Sequence, residues 1–88
     1  MTSRQVVIGY RLGLHARVSA GLVQLSGKFR SRVLLSRPDE TGDIKADADS
    51  ILSILLLAAG YGTKLEVRVE GDDEDEALDA ICSYLERS

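Results

Sequence analysis

The pattern of this chain predicts an α+β fold, with four strands in one antiparallel sheet and three helices on one face of it. Three observations predict it. Segments 43–49 and 63–70 alternate apolar and charged residues with the period of two that marks a half-buried strand. Segments 16–26 and 77–85 place apolar residues three and four apart, as a helix packed on one side does. The elements follow one another as β-α-β-β-α-β-α within 88 residues, a length that allows one domain, 1–88, with a single two-layer core.

In order, Arg4–Tyr10 reads as a strand with Val6, Ile8 and Tyr10 on one face and Gln5, Val7 and Gly9 on the other. Arg11-Leu12-Gly13 is a turn. Ala16 to about Ser26 reads as a helix on the stripe Val18, Leu22 and Leu25, with Gly27 as its C-terminal cap. Arg32–Arg37 carries Val33, Leu34 and Leu35 and reads as a second strand. Pro38-Asp39-Glu40-Thr41-Gly42 has hairpin-loop composition. Asp43–Asp49 sends Ile44, Ala46 and Ala48 inward, and its charged outer face suits a sheet edge. Ser50 is the expected N-cap of a helix from Ile51 to Ala59, which Gly60-Tyr61-Gly62 ends. Thr63–Glu70 sends Leu65, Val67 and Val69 inward. Asp72–Glu76 opens the last helix, where acidic side chains complement the helix dipole. Its stripe is Leu78, Ile81, Cys82 and Leu85.

Composition narrows the function. With 44% apolar and 28% charged residues, the chain is of ordinary globular composition, and one Pro and no Trp argue against a peptide-docking or repeat module. No apolar run reaches the ~18 residues of a membrane span, and Met1-Thr2-Ser3-Arg4 lacks the apolar core of a signal peptide, so the expected location is the cytoplasm. One cysteine and one histidine can build neither an internal disulfide nor a structural zinc site, and no metal or cofactor is expected. Charge is unevenly spread. Residues 1–37 hold Arg4, Arg11, Arg17, Lys28, Arg30, Arg32 and Arg37 and no acid; residues 38–88 hold four basic and fourteen acidic residues, for a net charge of −3. Such asymmetry points to an electrostatically steered partner. The basic half lacks the interleaved aromatics of an RNA-binding sheet, so nucleic acid is not the expected partner.

The candidate site is Leu12-Gly13-Leu14-His15-Ala16-Arg17-Val18. It holds the only histidine, at a helix start, where unpaired N–H groups and the positive end of the helix dipole favour an anion. Neutral imidazole is a competent nucleophile near pH 7. A phosphoryl group accepted there would find the helix N-terminus and Arg17 to balance its charge. No carboxylate, serine or cysteine forms a catalytic set with His15, so the chemistry available is group transfer with a partner supplying the rest. The apolar stretch Ile51–Ala59 can bury only one face in a two-layer domain, which leaves Ile51, Leu52, Leu55 and Leu56 as a docking patch. The acidic run 72–76 reads as a solvated helix start, Cys82 as core, and Tyr10 and Tyr61 as residues that could flank a site.

Gly13-Leu14-His15-Ala16-Arg17 resembles the phosphorylation-site signature of HPr, the histidine-containing phosphocarrier family of the bacterial phosphoenolpyruvate:sugar phosphotransferase system. Asp49-Ser50-Ile51-Leu52 with Ala58-Ala59-Gly60-Tyr61-Gly62-Thr63 resembles the family's second-helix region, and Glu70–Leu78 its entry to the last helix. The likeness covers nearly the whole chain, and the element order matches the family's open-faced β-sandwich. The resemblance implies that His15 takes phosphate on Nδ1 from phosphorylated enzyme I and passes it to an enzyme IIA domain, with Arg17 holding the phosphoryl group. It implies that Ser50 matches the serine an HPr kinase modifies in some bacteria. Ala16, Ala20, Ile51, Leu52 and Leu55 match the partner-docking surface, and a monomer is the expected state. Three residues depart from the family pattern. Val18 replaces the usual Pro, which implies a looser helix entry with little chemical loss. Leu12 replaces a polar residue near the histidine. Asp47 and Asp49 precede Ser50 where Lys is common, and would repel a phosphate there, favouring the N-cap role. The Arg37–Asp43 loop looks a few residues longer than usual. Two alternatives stay open. One is a protein-binding module that docks through the 51–57 helix without phosphotransfer; the other is a small-ligand regulatory domain using the sheet.

Overall fold

The computed structural model describes residues 1–40 and 42–87, and only the backbone of Asp39. The elements are β1 (Thr2–Val7), α1 (Ala16–Ser26), β2 (Ser31–Asp39), β3 (Gly42–Asp47), α2 (Ile51–Leu56), β4 (Lys64–Gly71) and α3 (Glu74–Glu86). The four strands form one sheet in the order β1-β4-β2-β3, antiparallel throughout. The last strand in sequence therefore lies inside the sheet, between β1 and β2. β3 is an edge strand, as its charged outer face predicts.

The strand period decides which face is covered. Val6, Val33, Leu35, Ala46, Leu65, Val67 and Val69 are buried on one face. α3 lies over β1 and β4, α2 over β3, and α1 over β2 while touching both other helices. From the helices come Val18 and Leu22, then Ile54 and Leu57, then Ala77, Leu78, Ile81, Cys82 and Leu85. The helical stripes read from sequence are thus the faces that close the core; Leu25 is only half-buried.

Several boundaries differ from expectation. Pro38 belongs to β2, not to a loop: it pairs with Asp43, and Asp39 pairs with Gly42. Glu40 is at the turn, and Thr41 lies outside the described residues. Pro is tolerated so near a strand end because little ladder remains for a missing N–H to break. β1 spans Thr2–Val7, so Ile8 and Tyr10 continue its inward face from the loop that follows. α2 stops at Leu56, three residues before Ala59. Leu57 and Ala58 close it with N–H bonds back to Ile54 and Leu55 carbonyls, and Ala58 takes φ 50°, the left-handed conformation that ends a helix. The Arg37 guanidinium on β2 donates to the Leu57 carbonyl, a position where helix carbonyls lack partners. Gly27 caps α1 as expected, but with φ −66°, inside the right-handed region.

Asp73 is the N-cap residue of α3, but its side chain makes no capping bond to the helix. Its carboxylate instead accepts from Ser31 Oγ at 2.6 Å and from the Arg30 N–H at 3.0 and 3.1 Å, tying the start of α3 to the start of β2. These bonds, that from Ser31 foremost, hold the Asp73 pKa below its ordinary value. Among the described residues no helix is long and apolar enough to cross a membrane.

Candidate functional site

His15 is the N-cap of α1, with extended backbone (φ −72°, ψ 175°). An N-cap side chain usually accepts from the second or third amide of its helix. The His15 side chain makes no such bond. The first amide of α1 to find a partner is Ser19 N–H, which donates to the His15 carbonyl at 2.9 Å. The N–H groups of Ala16, Arg17 and Val18 are therefore unpartnered among the described residues, at the positive end of the helix dipole. No acidic residue lies in that first turn. Arg17 is exposed, and so is Arg11; neither forms an ion pair among the described residues. Field, free donors and nearby exposed cations all favour a negative group on His15.

The loop that carries His15 is tied down residue by residue. Gly13 N–H donates to Tyr10 O at 2.9 Å and His15 N–H to Gly13 O at 2.9 Å. Leu14 N–H donates to Ala59 O at 3.0 Å, which joins the loop to the segment just after α2. Gly13 has φ +68°, and a Cβ there would meet the Ala59 carbonyl oxygen at 2.5 Å, so both backbone conformation and space demand glycine. Leu14 and Val18 are buried on either side of His15, while His15 itself is half-buried. Two anchored neighbours thus fix the backbone and leave the ring at the surface.

At the entry of α1, Val18 stands where the family usually has Pro. Ser19, fully buried, donates its hydroxyl to Leu14 O at 3.0 Å, and the Val18 side chain packs in the core. These contacts hold the first turn of α1 without the fixed φ of a proline. Ser19 was not singled out by the sequence; the available signal was a polar residue amid the apolar positions of α1. Tyr10 and Tyr84 form a second such set. Tyr10 Oη donates to Tyr84 O at 2.6 Å, and Tyr84 Oη to Val18 O at 2.8 Å. Burial pushes both phenols above their ordinary pKa, which keeps them as donors.

α2 lies against α1; Ala16 and Ala20 belong to α1, and Ile51, Leu52 and Leu55 to α2. Ala16 is exposed and Ala20 half-buried. Ile54 and Leu57 are fully buried, whereas Ile51 (41%), Leu52 (68%), Leu55 (38%) and Leu56 (68%) are exposed, as expected of a helix with one face on the core. Leu12 is 79% exposed in the His15 loop. Ser50 caps α2, its Oγ accepting from Ser53 N–H at 3.2 Å. Asp47 is paired with Arg32 at 3.2 Å, while Asp49 is exposed. A cleft of about 620 Å³ runs along β1 past Val7 and Tyr61 and does not include His15. A residue that must meet partner proteins needs exposure rather than enclosure.

The family model described as the PTS HPr component phosphorylation site matches residues 2–87. The chain belongs to the HPr family. The phosphocarrier protein HPr of Cupriavidus necator is 42% identical over 85 residues, 97% of this chain and 91% of that one. The phosphocarrier protein NPr of Shewanella violacea is 39% identical over 83 residues, 94% of this chain and 87% of that one. The crystal structure of an HPr from Bacillus anthracis superposes with a TM-score of 0.86 at 30% identity, covering 96% of this chain and 95% of that one. As an HPr family member the chain is a phosphocarrier of the bacterial phosphotransferase system, a family whose members interact with the enzymes of that system.

Proposed function

We propose that His15 is the phosphoryl acceptor, taking the group from phosphorylated enzyme I and passing it to an enzyme IIA-type acceptor. One observation carries this: His15 occupies the N-cap of α1 with an unengaged side chain above three unpartnered amides. Transfer needs the lone pair on Nδ1, with the ring proton on Nε2. Nδ1 attacks phosphorus, the donor's bond to phosphorus breaks, and its electron pair leaves with the donor. The added charge then lies where N-cap acceptors normally sit, toward the free N–H groups, with Arg17 able to close over it. Ala16, Ala20, Ile51, Leu52 and Leu55 form the face that meets the partner, and Arg11 and Arg17 steer it. The carrier acts as a cytoplasmic monomer that presents one site to successive partners.

Ser50 is the position where an HPr kinase would add phosphate. Its hydroxyl already caps α2, and exposed Asp49 would oppose a dianion beside it, so the cap is the role we assign to it.

The test is incubation with phosphoenolpyruvate and a general enzyme I. Wild type should acquire an acid-labile phosphate that His15→Ala abolishes. Labelling that survives the substitution sinks the assignment, and no labelling by a cognate enzyme I favours the protein-binding module.

A further inference from the structure

The segment from Tyr10 to Val18 brackets His15, and the last turn of α3 grips it at both ends. On the upstream side, Gly9 N–H donates to Leu85 O at 3.1 Å and Tyr10 Oη to Tyr84 O at 2.6 Å. Those carbonyls belong to the last four of α3, which have no partner within the helix, so the loop supplies donors the helix end needs. On the downstream side, Tyr84 Oη reaches across to Val18 O, in the first turn of α1, at 2.8 Å. The two rings meet at 5.9 Å with a 51° tilt, an arrangement aromatic pairs favour. Gly21, one turn further along α1, leaves the room: a Cβ at that position would fall on the Tyr84 hydroxyl.

The geometry points to Tyr84, with Tyr10, as a positioning pair that sets the His15 loop and the first turn of α1 in one frame for phosphoryl transfer. Tyr84 joins the two sides of His15 through one residue: its carbonyl holds the loop and its hydroxyl holds the helix. A shift of either side turns the imidazole relative to the free amides of α1. Transfer is sensitive to that angle, since misplacements of about 1 Å can cost up to about a hundredfold in rate. The pair lies on α3 and the loop after β1, whereas the exposed apolar patch belongs to α2. Loosening it changes orientation at the site while leaving the α2 part of the docking face in place.

This inference rests on His15 as acceptor, and its test separates the two. Tyr84→Phe and Tyr10→Phe each remove one oxygen. Steady-state phosphorylation by phosphorylated enzyme I should show kcat falling by about three- to tenfold in each variant, with KM within about twofold of wild type. The double variant should fall by less than the product, since both bonds serve one frame. The His15 ring proton resonances, which need no phosphate, should broaden or split in both variants. Gly21→Ala, which displaces the hydroxyl while keeping Tyr84, should reproduce the Tyr84→Phe effect. Native kcat with sharp, unshifted ring resonances in folded variants overturns the pair's role. So does a rise in KM alone, or a loss that tracks only the unfolded fraction. Failure of wild type to label overturns the acceptor reading instead, and the ring resonances still report on the pair.

Discussion

The Leu14 N–H donates to the Ala59 carbonyl at 3.0 Å, and this bond ties the His15 loop to the segment just after α2. Gly13, at φ +68° and against the same carbonyl, makes the approach possible. The two parts of the proposed site, the histidine and the apolar face, are therefore joined by a backbone contact. Gly13→Ala should cost about 1–3 kcal/mol of stability, from strain at a positive φ and displacement of residues 59 and 60. Urea unfolding measures it. Because the displaced carbonyl serves both parts, the variant should also lose transfer activity while still folded.

Ser50→Ala should destabilise by about 1 kcal/mol through loss of the α2 cap, whereas Ser50→Asp should keep most of the stability because Asp caps as well as Ser. Denaturant midpoints for the three proteins decide this. Equal loss in both variants would assign Ser50 something other than a cap.

Leu52, 68% exposed, should be nearly silent for stability. Leu52→Ala should shift it by no more than about 0.5 kcal/mol. If the side chain is buried by a partner, the substitution loses about 1.5 kcal/mol of apolar burial, which is roughly a tenfold higher KM for enzyme I. Stopped-flow transfer at varied enzyme I concentration reads it.

Arg17→Lys keeps the charge but loses the planar fork that grips a phosphoryl group bidentately. The lifetime of the phosphorylated carrier should shorten in Arg17→Lys and shorten further in Arg17→Gln. Phosphate release followed over time orders the three.

Asp73 sets an acid limb. Its folded-state pKa lies below its ordinary value, held there by bonds from Ser31 and Arg30. A depressed carboxylate contributes stability that is fully present above the unfolded-state value of about 3.9 and disappears as pH falls through the folded-state value. Wild-type stability should therefore decline below about pH 4, and Asp73→Asn should flatten that part of the profile. Thermal melts across pH 2–6 give the comparison.

How much of this was legible from the chain varies by element. Helix α1 was predicted from Ala16 to Ser26 and found there, because its start, its stripe and its cap are local signals. The end of α2 was placed three residues late. Apolar residues continue through Leu57, Ala58 and Ala59, and hydropathy does not register that Ala58 turns left-handed to let Ala59 meet Leu14. Pro38 was assigned to a loop by its turn chemistry, and the pairing with Asp43 prevailed over it. Tyr10 drew notice, but its partner Tyr84 lies 74 residues away, and no local pattern couples positions so distant.

The sequence by itself determined the period of each element, the inward faces, the acceptor candidate at a helix start and the family resemblance, since these depend on neighbours along the chain. The tertiary structure alone decided that β4 enters the middle of the sheet, that Ser19 and Tyr84 hold the first turn of α1, and that Ala59 anchors the loop. The physical reason is common to all three. Each is a contact whose value depends on where a remote segment lands, and a hydrogen bond leaves no trace in the order of residues until the fold brings its two ends within about 3 Å.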